Sequence, residues 1–497
     1  HLEIQNLYAA LAQPTEKLTV SYPVSDGKGA EKRPSFVIGR IARLLPSISV
    51  ETESADKEYR LSAKSTALEY AGEHIGGALW QYFEGQGDAE RALAAMKDAS
   101  RYTRGHLSRD AVHALYGGAV TLSASRMDMA RSCHFAYFMR YGLKARERTG
   151  AGFDAPQIGT FVHDVMEHTL RQAKECGGLH TLSKDKLHAL VRASIEEYID
   201  RVLPDLSEKS ARFRYLFNRL CATVERIMDE VSEELQSSDF EPLAFELEFG
   251  ADGQLPAITI REENGTARVV GKVDRVDGWL HDGKLYLRVV DYKTGKKSFD
   301  LAELRYGLGL QMLLYLFTLK EEGQMLFGGH EIVPAGVLYT PAREPMLRCA
   351  RDTEPEKIEK ALKKELRRSG MVLEDPAVLQ AMEHSAIESP CYLPIAVKRD
   401  GAVTGSLASA EQLGKLSKYV DHILHEITQE VFAGNIDADP YARTPQQSAC
   451  TYCEFASACH FENGCGSDRM EYIKATKNDE FWQYIDEVNG EGAHENG

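Results

Sequence analysis

A chain of 497 residues with 43% hydrophobic content is long enough for several domains with buried cores. Its 59 basic and 75 acidic residues give a net charge of -16, which excludes a protein that coats nucleic acid through its overall field, so any contact with a polyanion has to be local. Nine cysteines are too sparse for a secreted disulfide scaffold, no apolar run is long enough to span a bilayer, and no charged-then-apolar leader opens the chain; a cytoplasmic enzyme with no membrane association is expected. The first residue is His1 rather than Met, which suggests a fragment of a longer protein.

Residues 1–60 read as the trailing edge of a larger α/β domain: an amphipathic helix over Leu2 to Leu11, a short strand over Lys17 to Pro23, and a Gly/Lys/Glu-rich turn. Residues 61–121 read as a helical connector, strongest over Ala89 to Met96, without visible chemistry. A new domain is expected over 122–465. Ser123 caps a helix on which Cys133-His134-Phe135-Ala136-Tyr137-Phe138 follows. Helices over Gln157 to Ala173, Lys184 to Val202 and Ser207 to Leu235 look like a helical insertion or cover. Strands over Leu243 to Phe249, Ala257 to Ile260, Ala267 to Asp277 and Leu285 to Asp291, broken at Asp252-Gly253, Asn264-Gly265 and Asp282-Gly283, predict an antiparallel meander. A helix from Leu301 to Lys320, a strand over Glu331 to Tyr339, and helices over Glu354 to Arg368 and Ala408 to Ala433 lead to a cysteine segment. Residues 466–497 read as a C-terminal helix and polar tail.

The chemistry centres on Val289-Val290-Asp291-Tyr292-Lys293-Thr294-Gly295. Alternate side chains of a strand share a face, so Asp291 and Lys293 point one way and Tyr292 the other. An Asp-x-Lys at a strand end is commonly a solvated edge. If Val270 to Asp277 pairs antiparallel with Leu285 to Asp291, however, Asp274 can face Asp291, and two carboxylates at one point suit Mg²⁺ or Mn²⁺. Asp274 sits among Val270, Val273 and Val276, where an unpaired charge is costly. His163 shares a helix face with Glu167, either as a surface pair or as part of a site, and Gly159 one turn earlier would allow another backbone to approach. Gln311 and Tyr315 share the face of a helix whose leucines explain its packing but not the glutamine. The basic clusters Arg126, Arg131, Arg140, Lys144, Arg146 and Arg148, and Lys363, Lys364, Arg367 and Arg368, are patches of a kind that is usually a solvated face.

Cys450, Cys453 and Cys459 form a C-x2-C-x5-C metal signal that needs a fourth ligand. Zinc would take Cys465 or His460 locally. An iron-sulfur cluster would favour a fourth thiolate, for which Cys133 in its aromatic context is the best remote candidate. Cys176, Cys221, Cys349 and Cys391 read as buried small hydrophobes.

With these residues assembled, the chain resembles the PD-(D/E)xK nuclease superfamily, in particular the RecB-like nuclease domain at the C-terminal end of AddB-type subunits of helicase-nuclease complexes. The matching motifs are Gly159-x3-His163, Gly271-x2-Asp274, Asp291-Tyr292-Lys293-Thr294-Gly295 and Gln311-x3-Tyr315, in the family's order, and the resemblance covers Leu122 to about Asn463. It implies an α/β restriction-endonuclease-like core, a central mixed sheet flanked by helices, with helical insertions and an iron-sulfur staple. It implies Mg²⁺ (or Mn²⁺) held by His163, Asp274, Asp291 and the Tyr292 carbonyl, Lys293 beside the attacking water, and Gln311 and Tyr315 positioning the strand. Either Glu248 or Glu246 would assist through a water. A [4Fe-4S] cluster would be held by Cys133, Cys450, Cys453 and Cys459.

Upstream, Leu7 to Leu11 and Glu16 to Pro23 are similar to the end of the family's helicase-like domain. Ala12-Gln13 stands where an active helicase would carry arginine, and no G-x4-G-K-[ST] loop is present, so helicase activity is not expected of this chain. The resemblance implies a DNA exonuclease module that processes double-strand ends for recombinational repair, cuts the 5′-ended strand, and forms a heterodimer with an AddA-type helicase-nuclease subunit. The alternatives are a non-catalytic, metal-stapled DNA-binding or docking subunit and a stand-alone iron-sulfur RecB-like exonuclease.

Overall fold

The computed structural model describes residues 2–24, 32–48, 60–101, 103–146, 155–250, 253–295, 297–350, 352–444 and 446–490. The chain divides into two compact units, 1–99 and 100–497, and the division falls inside the connector expected over 61–121. The first unit is helical: Leu2–Ala12, Phe36–Leu44, Lys64–Glu73, Ala78–Phe83 and Asp88–Ser100. Its small core joins Ala67, Ala71, Trp80, Phe83, Ala89 and Leu93. The strand expected over Lys17 to Pro23 does not form; the segment's side chains are exposed, and among the described residues no strand pairs with it. The Gly/Lys/Glu-rich turn lies outside the described residues.

The second unit is mixed α/β. Its strands are β1 (Ala119–Leu122), β2 (Glu241–Phe249), β3 (Ile258–Glu262), β4 (Gly265–Val269), β5 (Gly271–His281), β6 (Lys284–Lys293), β7 (Glu331–Pro341) and β8 (Ser369–Leu373). A six-stranded mixed sheet runs in the order Leu407–Ala408, β8, β7, β6, β5, β2. β2 and β6 flank β5 antiparallel, whereas β6 and β7 are parallel and joined through a helix that packs on both.

The expected meander is corrected. β3 and β4 leave this sheet and pair with β1 in a second sheet, so β2 lies directly against β5. The stretch that reads as one strand over Ala267 to Asp277 changes sheets at Val270, whose amide donates to the Leu122 carbonyl at 2.9 Å. The helix Ala410–Phe432 packs on β3 and β4. Gly265 is needed there because a Cβ would lie 2.3 Å from the Phe432 ring. By contrast the β5–β6 hairpin turns as its sequence demands, with Asp282 (φ 49°) and Gly283 (φ 77°) both left-handed.

Two helix expectations shift in ways that place candidate site residues. The helix from Leu301 breaks into Leu301–Arg305 and Gln311–Glu322, because Gly307 and Gly309 take left-handed φ of 74° and 68°. The Gly309 amide donates to the half-buried Asp128 at 2.9 Å, and Gln311 thereby opens the second helix. The helix after Ser123 ends at Ser132; Cys133 is extended (φ -174°), so its segment does not continue the helix. The long cover helices form close to expectation, as Ala155–Glu175, Lys184–Val202 and Ala211–Gln236.

One face of the main sheet buries charge. Arg275, Asp277 and Arg288 are fully buried with Glu234 from the helix Ala211–Gln236 and Arg368 from the edge of β8. Arg275 and Arg288 share Asp277, with Nε of Arg288 at 2.9 Å from Oδ2, and Arg368 meets Glu234 at 2.6 Å. The basic patch expected around Lys363 to Arg368 is corrected accordingly: Arg368 is spent inside, and Arg367 donates to the Pro390 carbonyl. Among the described residues no helix is long and apolar enough to cross a membrane.

Candidate active site

At the end of β6 the strand alternation holds. The Tyr292 side chain enters the buried charge network, where its hydroxyl accepts from Arg275 Nη1 at 2.6 Å, and Asp291 and Lys293 occupy the opposite face. Asp291 is no solvated edge, being 4% exposed. Its Oδ2 pairs with Lys293 Nζ at 2.7 Å. The Tyr292 amide donates to Asp274 Oδ2 at 2.8 Å, which brings the second acid across from β5.

His163 joins from its helix. Nε2 donates to the Tyr292 carbonyl at 2.9 Å, and Nδ1 lies 3.3 Å from Asp274 Oδ2. Burial works against the imidazolium, but the Asp274 carboxylate outweighs it and raises His163 to about 8. Asp291 goes up to about 6, first through burial and then through the charge of Asp274, with Lys293 and His163 pulling the other way. Crowded, buried acids of this kind are relieved by a divalent cation, and an oxygen-rich set with one imidazole suits a hard ion such as Mg²⁺ or Mn²⁺.

Glu246 belongs to this cluster. Ligand atoms of His163, Glu246 and Asp274 all lie within 4.8 Å of one another, whereas Asp291 is turned to Lys293. Of the two glutamates that read alike in sequence, Glu246 points into the site and Glu248 is half exposed. Glu246 takes a left-handed φ of 49°, a conformation that local sequence did not announce. Its carboxyl is raised by burial, against the pull of Lys272, and Asp274 adds to the rise.

Gln311 Nε2 donates to the Tyr315 hydroxyl at 3.2 Å. Both line a cleft of about 590 Å³ together with Ser123, Ser125, Lys272 and Phe249. Gly271 is required at its floor, since a Cβ would come 2.5 Å from both Phe249 and Tyr315. Gly159 has the opposite character: a Cβ there meets nothing within 4 Å, so the backbone approach expected of it does not occur among the described residues. Of the basic cluster, Arg131 lies beside Glu426 and Glu430 and Arg140 pairs with Glu454, Lys144 and Arg146 are exposed, and Arg148 lies outside the described residues.

Cys133, Cys450, Cys453 and Cys459 line a second cavity of about 590 Å³ with Phe135, Tyr452 and His460. Their sulfurs do not draw together into a closed ligand set among the described residues. Burial pushes Cys133 up to about 12 and Cys450 to about 11. Cys465 is exposed and does not line the cavity. The reading of the other four cysteines as buried hydrophobes is overturned for Cys176 and Cys349, which are exposed at a helix end and in irregular chain, and for Cys391, partly exposed in irregular chain, whereas Cys221 is partly buried and packs against the core.

Arg104, in the stretch that showed no chemistry in sequence, binds the cysteine segment. It makes two bonds to Asp468, at 2.8 and 3.0 Å, reaches the Cys459 carbonyl at 2.8 Å and sulfur at 3.6 Å, and lies 4.4 Å above the Phe135 ring. No local motif marks it, because every partner is remote in the chain.

The family profile of the PD-(D/E)XK nuclease superfamily matches residues 121–460. The chain is 29% identical over 97% of its length to the B subunit of the ATP-dependent helicase/deoxyribonuclease of Ruminiclostridium cellulolyticum. It is 30% identical over 99% to the same protein of Caldanaerobacter subterraneus subsp. tengcongensis, and 31% identical over 96% to that of Acetivibrio thermocellus. In each case it spans 44% of the relative's length. A profile that runs from β1 to the cysteine segment takes in both sheets and the whole acidic cluster, and by that match the chain belongs to the PD-(D/E)XK nuclease superfamily, as a homologue of the helicase/deoxyribonuclease B subunits.

Proposed function

We propose that this chain is the DNA exonuclease module of a helicase-nuclease complex. It uses Mg²⁺ (or Mn²⁺) to process double-strand ends for recombinational repair in the cytoplasm, cuts the 5′-ended strand, and works beside an AddA-type motor subunit. The observation that carries this reading is the convergence of His163, Asp274, Asp291 and Lys293, from three separated segments, at one end of one sheet. Residues 1–60 correspond in this reading to the end of a helicase-like domain, 61–121 to a connector, 122–465 to the nuclease domain and 466–497 to a tail.

His163, Asp274, Asp291 and the Tyr292 carbonyl would hold the cation, with Glu246 beside them. When bound, the ion supplies an activated water and stabilises charge on the scissile phosphate. His163 and the Tyr292 carbonyl, which meet at 2.9 Å, would both face the ion from the same side of the site. Lys293, held at Asp291, orients the water and can take its proton. Gln311 and Tyr315 hold the strand from the cleft wall. Cys133, Cys450, Cys453 and Cys459 would hold a [4Fe-4S] cluster as a structural staple; that four thiols surround one cavity, rather than one point, suits a polynuclear group better than a single zinc.

The test is magnesium-dependent release of nucleotides from end-labelled DNA, with and without the motor subunit. Asp291→Ala and Lys293→Ala are expected to abolish cleavage and leave folding intact, and undiminished cleavage in both would leave only the non-catalytic DNA-binding reading. Stoichiometric zinc in place of iron in the purified protein would remove the cluster.

A further inference from the structure

Lys272 stands where the acidic cluster opens into the cleft. It lies two residues before Asp274 on the same strand face, its side chain is 48% exposed, and its Nζ is 2.5 Å from Glu246 Oε2 and 3.5 Å from Glu248 Oε1. The same lysine lines the cleft with Ser123, Ser125, Gln311 and Tyr315, whose hydroxyls and amide suit the sugar and phosphate of a nucleic-acid strand. Glu246 is therefore shared between two demands: it neutralises Lys272, and its carboxylate stands within 4.8 Å of ligand atoms of His163 and Asp274.

We propose that Lys272 is a phosphate-binding residue that exchanges partners. A divalent cation at the His163–Glu246–Asp274 cluster draws the Glu246 carboxylate to itself and repels the nearby ammonium, and the released Lys272 takes a backbone phosphate of single-stranded DNA lying in the cleft. Cation and strand then bind cooperatively, and by linkage each tightens the other by the same factor. The left-handed backbone of Glu246 fits such a role, because strained conformations of non-glycine residues persist where a site over-determines them. This inference rests on the nuclease reading given above.

The experiment measures binding of a fluorescent single-stranded oligonucleotide to the full chain by anisotropy, in EDTA and in Ca²⁺, with substrate integrity checked on a gel. Wild type is expected to bind more tightly in Ca²⁺. Lys272→Ala and Lys272→Gln are expected to lose most of the gain that Ca²⁺ gives wild type, binding about tenfold more weakly than wild type in Ca²⁺, with the salt slope of log K there reduced by about 0.7, the loss of one single-strand phosphate contact. Lys272→Arg should keep the gain. Equal weakening with and without Ca²⁺, or none in either, would overturn the exchange. Calorimetry on wild type separates the two levels of failure: no Ca²⁺ binding refutes the cation site itself and the exchange with it, whereas Ca²⁺ binding with an undiminished gain in Lys272→Ala refutes only the exchange.

Discussion

Arg275 and Tyr292 meet across two strands on the buried face of the sheet, guanidinium to hydroxyl at 2.6 Å, and the same tyrosine offers its backbone carbonyl to His163 at the mouth of the site. The side chain thus anchors, from behind, the residue whose amide and carbonyl hold Asp274 and His163 in place. Removing the hydroxyl leaves a buried guanidinium nitrogen unpaired, and bonds to charged groups are worth about 1.5–3 kcal/mol. Tyr292→Phe is expected to lower unfolding free energy by about 2 kcal/mol in urea titration, on that scale, while the carbonyl and its bond remain. An unchanged midpoint would show that the anchor contributes nothing.

Acid should act on the fold through Glu234. Burial disfavours its carboxylate, but Arg368, Arg288 and Arg275 overcome this and hold the group at about 2, below its ordinary 4.5. A depressed folded pKa means that the ionised form stabilises the protein above about 4.5 and that this contribution drains away as pH falls toward about 2. Glu234→Gln is expected to lose on the order of 3 kcal/mol at neutral pH, since removing one partner leaves buried arginines uncompensated. Its stability should then depend less on pH between 5 and 3 than that of wild type, within roughly the window that linkage assigns to this group. Parallel acid curves for the two proteins would remove Glu234 as the responsible group.

The two motif glycines should respond oppositely to one methyl group. Gly271→Ala drives a Cβ into Phe249 and Tyr315, and overpacking of this kind typically costs about 1–3 kcal/mol. Gly159→Ala meets nothing within 4 Å on a helix and is expected to stabilise by roughly 0.5–1 kcal/mol. Thermal melts of the two variants, read side by side, check both; a destabilised Gly159→Ala would mean that its face is not open.

Arg104→Ala should loosen the cysteine cavity. The arginine is buried against Asp468, with side chains 12% and 10% exposed, and it holds the Cys459 segment to the Phe135 segment. Loss of one partner of such a pair costs about 3–5 kcal/mol when the pair is well buried, and less when water reaches the survivor. The expected result is a lower melting temperature and, if the thiols hold iron, faster loss of visible absorption to a chelator, with Arg104→Lys intermediate. Wild-type stability and iron retention in Arg104→Ala would assign the residue no role.

Local pattern carried the reading wherever the physics is local. Alternation along Val289 to Lys293 placed Asp291 and Lys293 opposite Tyr292, the Asp282-Gly283 pair named its own turn, and the long helices follow from their apolar spacing. Reading failed where the outcome depends on a remote partner: the strand that changes sheets at Val270 and the strand over Lys17 to Pro23 that finds none.

By itself the sequence determined which candidate groups share a strand or helix face and the order in which they occur, because side-chain period and turn chemistry are properties of a few adjacent residues. Only the tertiary structure turned Glu246 rather than Glu248 toward His163 and Asp274, set Arg104 against the Cys459 segment, and sank the arginines behind Tyr292. Those choices are made by distance and burial between segments far apart in the chain. A carboxylate or guanidinium looks the same in sequence whether water or a buried partner receives it.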